Sequence, residues 1–232
     1  MNICVICAKS NSSRVKNKNF LKVQGKPIIN YTIEAAIKSK IFDKIYINTN
    51  KKNYFFNNKI VEVFKRPKFL TKDNIRVLDV IKHQIKNSNI NLVKNIFVLF
   101  PTCPLRNEKD IINVYKLLKK YQFKKQIISV TEFIPSIDVA FKIDNKGRLF
   151  NLNKKRYASS PGNNNHRKFY YCNYSVIASN INYLINSKKL VNENSIPYIM
   201  PFIRSIDMGS KILKMCCVIY RINGYVAMRK AS

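Results

Sequence analysis

Apolar positions along this chain fall into short, near-continuous runs separated by longer stretches with helical spacing. The first run, within NICVIC, breaks into the polar, cation-studded segment AKSNSSRVKNKN. Pro27 then opens a stretch in which Ile28, Tyr31, Ala35 and Ile37 make a rough helical stripe, after a turn at Gln24-Gly25. DKIYINT, from Asp43 to Thr49, is rich in β-branched residues and reads as the next strand. Strand, loop, helix, strand is one βαβ unit, which predicts a parallel pair joined by a right-handed crossover.

The pattern continues with a strand from Lys59 to Phe64 and a helix capped by Thr71 or Asp73 and running to about Ile85. NIFVLF, from Asn95 to Phe100, is the clearest core strand, and PTCPLR stops it. A helix is predicted from about Glu108 to Tyr121 and a strand from Gln126 to Thr131. Residues 134–170 are irregular, with a hairpin around Asp144-Asn145-Lys146-Gly147 and a turn at Ser160-Pro161-Gly162, a segment suited to a lid or a dimerisation arm. A strand from Asn173 to Ala178, a helix from Ile181 to Ser187 and a last strand from Tyr198 to Ile203 restore the alternation. The expectation is one α/β domain over residues 1–232 with an excursion, because no repeat or low-complexity linker divides the chain.

Composition changes this picture in two places. The chain has 232 residues, enough for one substantial core, and carries 43 Lys and Arg against 12 Asp and Glu, a net charge of +31. Such a charge raises nucleic acid or an anionic membrane as partner. The cations are nevertheless spread along the whole chain among abundant Asn and Ile, not gathered in a tail or an aromatic-interleaved patch, so nucleic acid is not the expected partner. The start MNICVICAK lacks a basic leader followed by an apolar stretch, and no apolar run approaches the ~20 residues that cross a bilayer. The expected compartment is therefore the cytoplasm, with the six cysteines reduced.

Cys4 and Cys7 form a CxxC, but positions three apart on one strand face opposite sides, so buried thiols are expected and not a metal site. Asp79 and His83 lie four apart on a predicted helix, where a solvated or packed pair is the expectation. His166 lies in a polar loop without an assigned role. The opening loop is the informative feature. At the C-terminal end of a first parallel strand, free backbone N–H groups and nearby cations suit a phosphate-bearing ligand.

With these residues laid out, the chain resembles the acylneuraminate cytidylyltransferase family, the CMP-N-acetylneuraminic acid synthetases. The resemblance rests on landmarks in order over roughly residues 3 to 208: AKSNSSRVKNKN with LKVQGKPIINYTIEAA, RPKFLTKD with LDVIKH, FPTCPLRNEKDI, SVTEF, and SID near the C-terminus. Each motif alone is weak, whereas their order and spacing together are specific. The resemblance implies a Rossmann-like, three-layer nucleotidyltransferase fold with a mainly parallel sheet, a homodimer, CTP and Mg²⁺. It also implies a nonulosonic, sialic-acid-like 2-keto sugar acid as acceptor. The implied reaction gives a CMP-sugar and pyrophosphate.

Carried over residue by residue, the resemblance assigns Arg14 and Lys18 to the triphosphate as the catalytic cations. Ala8, Lys9, Ser12, Asn19 and Arg66 go to the nucleotide, and Phe100, Thr102 and Arg106 to the acceptor. Arg106 would pair with the acceptor carboxylate, because a guanidinium binds a carboxylate with two parallel hydrogen bonds. Asp207 matches a metal ligand. The chain departs from the family pattern at several positions: Lys9 stands where the family has Arg, Ser10 and Asn11 replace glycines, Phe100 replaces a Gln, Tyr174 stands where a Gly is expected, and Gly209 stands where a second metal carboxylate would fall. Weaker metal binding is the expectation, and residues 209–232 read as a divergent tail. The alternatives are a nucleotide-binding homologue with impaired turnover and a basic nucleic-acid-binding protein.

Overall fold

The computed structural model describes residues 1–11, 17–88, 92–134, 137–152 and 167–208. Its centre is β1 (Asn2–Cys7), whose residues from Ile3 to Cys7 are buried on both faces. A strand covered on both sides needs apolar residues at odd and even positions alike, which is why NICVIC lacks alternation. Ile3, Val5 and Cys7 join one core cluster, and Cys4 and Ile6 join the other.

After β1 come a short hairpin of β2 (Lys22–Val23) and β3 (Lys26–Pro27), then α1 (Ile28–Ser39) and β4 (Lys44–Thr49). Gln24 and Gly25 both take positive φ, 51° and 74°, so the hairpin turns where the sequence predicts it. β5 (Val61–Lys65), α2 (Val77–Lys86), β6 (Asn95–Leu99), α3 (Glu108–Lys120) and β7 (Ile127–Glu132) follow. β8 (Phe141–Ile143) and β9 (Leu149–Asn151) form a separate hairpin. β10 (Tyr170–Asn180), α4 (Ile181–Asn186) and β11 (Ile196–Ile199) complete the described chain.

The main sheet has the order β11-β7-β10-β6-β1-β4-β5. β1 pairs in parallel with β4 and β6, and β4 in parallel with β5, as the βαβ reading requires. β10 runs antiparallel to both neighbours, β6 and β7. One cluster packs α1 and α3 on one face of the sheet, through Ile29, Ile33, Ile111 and Val114 against Ile6, Phe97 and Leu99. The other packs α2 and α4 on the opposite face, through Leu78, Ile81 and Leu184 against Val5, Val98 and Ile177. The fold is therefore a three-layer α/β arrangement with a mainly parallel sheet, as the family resemblance implies.

Several element boundaries differ from the sequence reading, β10 among them, which runs from Tyr170 to Asn180 and not from Asn173 to Ala178. α2 is capped by Arg76, not by Thr71 or Asp73, and the stretch before it holds a 3-10 turn at Lys68–Thr71. The last strand is Ile196–Ile199, not Tyr198 to Ile203. Pro201 has no N–H for a sheet ladder and instead caps a 3-10 turn, Phe202–Ser205. The third strand ends at Lys65, not Phe64. The turn around Asp144 is present: its carboxylate accepts from the N–H groups of Lys146 and Arg148 at 2.9 and 2.8 Å, and Gly147 has φ 76°. The Ser160-Pro161-Gly162 turn, His166, Gly209 and the tail lie outside the described residues.

The remaining ligand-spaced residues have structural partners. Cys4 and Cys7 are free thiols in different core clusters, and burial pushes both thiol pKa values up. Asp79 pairs with Arg76, while the ring of His83 lies 5.5 Å from Phe69 and 6.3 Å from Phe64. Among the described residues no three His, Cys, Asp or Glu side chains cluster as a metal site, and no helix is long and apolar enough to cross a membrane.

Candidate active site: a cationic cleft at the strand exits

The loop after β1 is tied down by the exit of β4. Ala8 donates its N–H to the Asn48 carbonyl at 2.9 Å, and its own carbonyl accepts from Thr49 Oγ1 at 2.6 Å. Ser10 N–H donates to Asn50 Oδ1 at 2.9 Å, and Asn50 Nδ2 donates to Asn11 Oδ1, also at 2.9 Å. Asn19 Nδ2 donates to the Lys9 carbonyl at 2.8 Å, and Asn17 N–H closes the loop base on the Ser10 carbonyl at 3.2 Å. Side-chain amides thus hold a loop that in the family resemblance is built from glycines. Neither Ser10 nor Asn11 has positive φ. The left-handed position in the described part of the loop is Asn17, φ 54°, and Asn tolerates that geometry better than most residues.

Between this loop and the exits of β5 and β6 lies a cleft of about 190 Å³. Among the described residues, Lys9, Lys18, Arg66 and Lys72 bring four cations to its lining, and Asp73 brings the one carboxylate. Leu70, Ile75, Val77 and Val80 supply an apolar wall, and Phe100 and Thr102 close the end nearest β6. A small concave recess with an apolar wall and a few convergent cations is suited to part of a nucleotide, with the remainder lying along the open rim.

Arg66 is the best-supported cation. It is buried, and its Nε donates to Asn48 Oδ1 at 2.6 Å while Nη2 donates to the Asn48 carbonyl at 3.1 Å. Asn48 is oriented in turn by Gln84 at 2.9 Å. Burial lowers the Arg66 pKa, and the neighbouring Cys7 partly opposes that shift. Lys9 forms an ion pair with Asp73, whose side chain is largely exposed.

The structure brings Lys9, Lys18, Asn19, Arg66, Phe100 and Thr102 together around one cleft. Ala8, Arg106 and Asp207, also named from the sequence, are not in its lining. Ala8 is fully buried with both backbone polar groups spent inside the protein, so it positions the loop and offers no donor to a ligand. Arg106 does not line the cleft. It is 3% exposed, and its Nη1 donates to the Ser175 carbonyl at 2.6 Å and the Phe100 carbonyl at 3.3 Å, while Nη2 donates to Thr32 Oγ1 at 2.7 Å. Its guanidinium is engaged in the interior, which leaves the acceptor-carboxylate role without a geometric basis. Arg14 and Ser12 lie outside the described residues.

Phe100 meets Tyr174 edge-on, with ring centroids 5.8 Å apart. Tyr174 has φ 53° at an irregularity in the β10 pairing, at the position where the family resemblance expects glycine. Asp207 is exposed and adjoins Met208, whose N–H donates to the Thr102 carbonyl at 2.8 Å and whose side chain is buried with Val23, Ile28 and Tyr31. That anchor holds Asp207 close to the β6 exit. One carboxylate with phosphate oxygens and water is a donor set that Mg²⁺ accepts, so the residues present fit that ion.

Sequence reasoning missed Asn48, Asn50, Lys72 and Asp73. A polar Asn48 at the end of a buried strand was a usable signal, because a buried amide needs partners. Asp73 was a weaker one, as one of only 12 acidic residues in the chain.

The chain matches the cytidylyltransferase family over residues 3–170. It is 28% identical over 214 residues to an N-acylneuraminate cytidylyltransferase of Escherichia coli O18:K1:H7, covering 90% of this chain and 49% of that protein. It is also 28% identical over 169 residues to a pseudaminic acid cytidylyltransferase of Campylobacter jejuni, covering 68% of this chain and 70% of that one. The chain thus spans about half the length of the first of these relatives. In fold it is similar to a CMP:2-keto-3-deoxy-manno-octonic acid synthetase complexed with CTP, with a TM-score of 0.66 at 11% identity over 96% of this chain and 99% of that one. A second likeness, to the 2-C-methyl-D-erythritol 4-phosphate cytidylyltransferase of Francisella tularensis, has a TM-score of 0.63 at 14% identity over 93% of this chain and 97% of that one. The chain belongs to the cytidylyltransferase family, and within it is similar to the acylneuraminate cytidylyltransferases.

Proposed function

We propose that this chain is an enzyme, a nucleotidyltransferase that activates a nonulosonic 2-keto sugar acid with CTP. The anomeric hydroxyl attacks the α-phosphorus, the new O–P bond forms as the bond to the β-phosphate oxygen breaks, and the hydroxyl proton passes to water. The products are a CMP-sugar and pyrophosphate.

The observation that carries this reading is the convergence of Lys9, Lys18, Arg66 and Lys72 on a cleft at the exits of parallel strands. Phosphoryl chemistry of this kind builds negative charge on the non-bridging and leaving oxygens, so it needs placed cations more than a protein nucleophile. Lys18 and Arg66 are suited to the triphosphate, and the family resemblance assigns Arg14 there with them. The wall of Leu70, Val77 and Val80 is suited to the base, and the Phe100 and Thr102 end to the acceptor. Mg²⁺ is part of the proposal: when bound it neutralises phosphate charge, and Asp207 is the residue offered to it. A homodimer is proposed through the β8–β9 hairpin, where Ile143, Leu149 and Leu152 are exposed. A cytoplasmic setting accords with the thiols of Cys4, Cys7 and Cys172 being unoxidised.

The test is pyrophosphate release from CTP and Mg²⁺ with a panel of acceptors: N-acetylneuraminate, legionaminate, pseudaminate and 3-deoxy-manno-octulosonate. Release with at least one is expected, and silence with all of them overturns the proposal. A second reading, a nucleotide binder with impaired turnover, is favoured by the Lys9–Asp73 pair, which draws a cation away from the phosphates. Thermal stabilisation by CTP without pyrophosphate release would select it.

A further inference from the structure

A second and larger cavity, about 670 Å³, opens on the other side of Arg66. It lies between the segment after β4 and the end of β5, and Lys51, Lys52, Lys65, Lys68 and Arg66 line it with no acidic residue among the described residues. We infer that this cavity is a binding site for a small anion carrying two or more phosphate groups, separate from the nucleotide cleft and coupled to it.

The charge argument is local. Lys52, Lys65 and Lys68 have no ion-pair partner among the described residues, although elsewhere Lys9, Lys26 and Lys44 each find a carboxylate. Glu62, the one acidic residue of β5, turns to Lys44 instead. Lys51 keeps a ring contact with Phe20 at 5.8 Å. Several like charges around one concavity repel one another, and the concave wall concentrates their field, so the position favours a multivalent counter-anion over a monovalent one. Its volume accommodates a short polyphosphate or a nucleoside polyphosphate. Thr49 and Asn50 add neutral hydrogen-bonding groups to the lining.

Coupling follows from the shared wall. Arg66 lines both cavities. Asn50, in the lining of the second cavity, is the residue whose amide holds Ser10 N–H and Asn11 Oδ1 of the triphosphate loop. An anion that draws on Arg66 from the second cavity leaves less of its charge for the nucleotide. The sign is therefore antagonistic, and by linkage each ligand weakens the other by the same factor. The inference holds whether or not the nucleotide cleft turns CTP over.

Titrate the full chain with inorganic tripolyphosphate by calorimetry, alone and saturated with CTP. Two equivalents are expected without CTP and one with it, the remaining one weakened severalfold and sensitive to salt. In the K52A/K65A/K68A variant the CTP-resistant equivalent weakens by about tenfold or more, the sum of three modest charge contacts, while CTP still binds. A K109A/K116A/K120A variant, which removes the same charge from α3, keeps both equivalents. A nucleoside triphosphate that fills the CTP-resistant site more tightly than tripolyphosphate makes the occupant a nucleotide, and the reverse makes it a free polyphosphate, each within the proposal. Three results overturn it: a single CTP-competed equivalent, equal weakening in the α3 control, or a single-stranded oligonucleotide that binds the same lysines more tightly than either small anion.

Discussion

Arg66 and Arg106 each follow the C-terminal end of a parallel strand, β5 and β6, and both are buried, yet they do opposite work. At the β4–β5 exit, Asn48 takes one edge of the Arg66 guanidinium, and the side chain still lines the cleft. At the β6–β10 exit, Ser175, Phe100 and Thr32 take up the Arg106 guanidinium in the interior. The difference lies in what stands opposite. Arg66 faces the gap between the β1 loop and the edge of the sheet, whereas Arg106 is closed over by antiparallel β10 on one side and α1 on the other. Of these two arginines, the one that no neighbouring strand closes over is the one that lines the cleft.

The sharpest break would come at Arg106. Arg106→Ala leaves carbonyls of Phe100 and Ser175 and the Thr32 hydroxyl without their buried donor, and it should cost roughly 3 kcal/mol of stability. Urea unfolding measures this. An Arg106→Ala protein of unchanged stability that loses only acceptor binding would reverse the contrast drawn above.

Arg66→Lys comes next. Lysine keeps the charge but cannot make both contacts to Asn48 and present a planar face to phosphate. CTP affinity should fall by roughly tenfold to a hundredfold, the range of one lost charged hydrogen bond. Stability should fall less than in Arg106→Ala, which equilibrium unfolding beside a CTP titration will separate.

How much of this was legible in the sequence differs between the two exits for the same physical reason. Strand positions were legible because a strand buried on both faces must be apolar throughout, as in NICVIC and NIFVLF. The loop that lines the cleft was legible because polar residues directly after such a strand mark its exit. Which cation faces the cleft was not legible, since it depends on β10, which reaches β6 from residues far along the chain and runs antiparallel to it. Nor was the amide scaffold of Asn48, Asn50 and Gln84, whose members come from different elements and meet only on folding.

Tyr174 gives a finer test on the β6–β10 side. It holds a left-handed backbone, which for a residue with a Cβ costs about 1 kcal/mol or more, while its ring packs edge-on against Phe100. Tyr174→Ala loses the ring and keeps the strain, whereas Tyr174→Gly loses the ring and relieves it. The glycine variant should therefore be the more stable of the two by about 1 kcal/mol, read as a difference in thermal midpoint. Equal stability would mean that the backbone at this irregularity relaxes when the ring is removed.

The smallest effect sharpens the β4–β5 side. Asp73 is the one carboxylate among the described residues that line the nucleotide cleft, and it holds Lys9. Because its side chain is mostly exposed, water screens the pair, and Asp73→Asn should leave folding stability nearly unchanged. The consequence falls on the ligand. Lys9, released, has no nearer anion than a phosphate in the same cleft, so CTP should bind about two- to fivefold more tightly, a gain of the size of one exposed ion pair. Added salt should shrink this gain, as it screens both Lys9–Asp73 and Lys9–phosphate attraction. If Asp73→Asn instead weakens CTP, then Asp73 serves the ligand directly, through a cation or a hydroxyl, and the exit of β5 holds a carboxylate site as well as a cationic one.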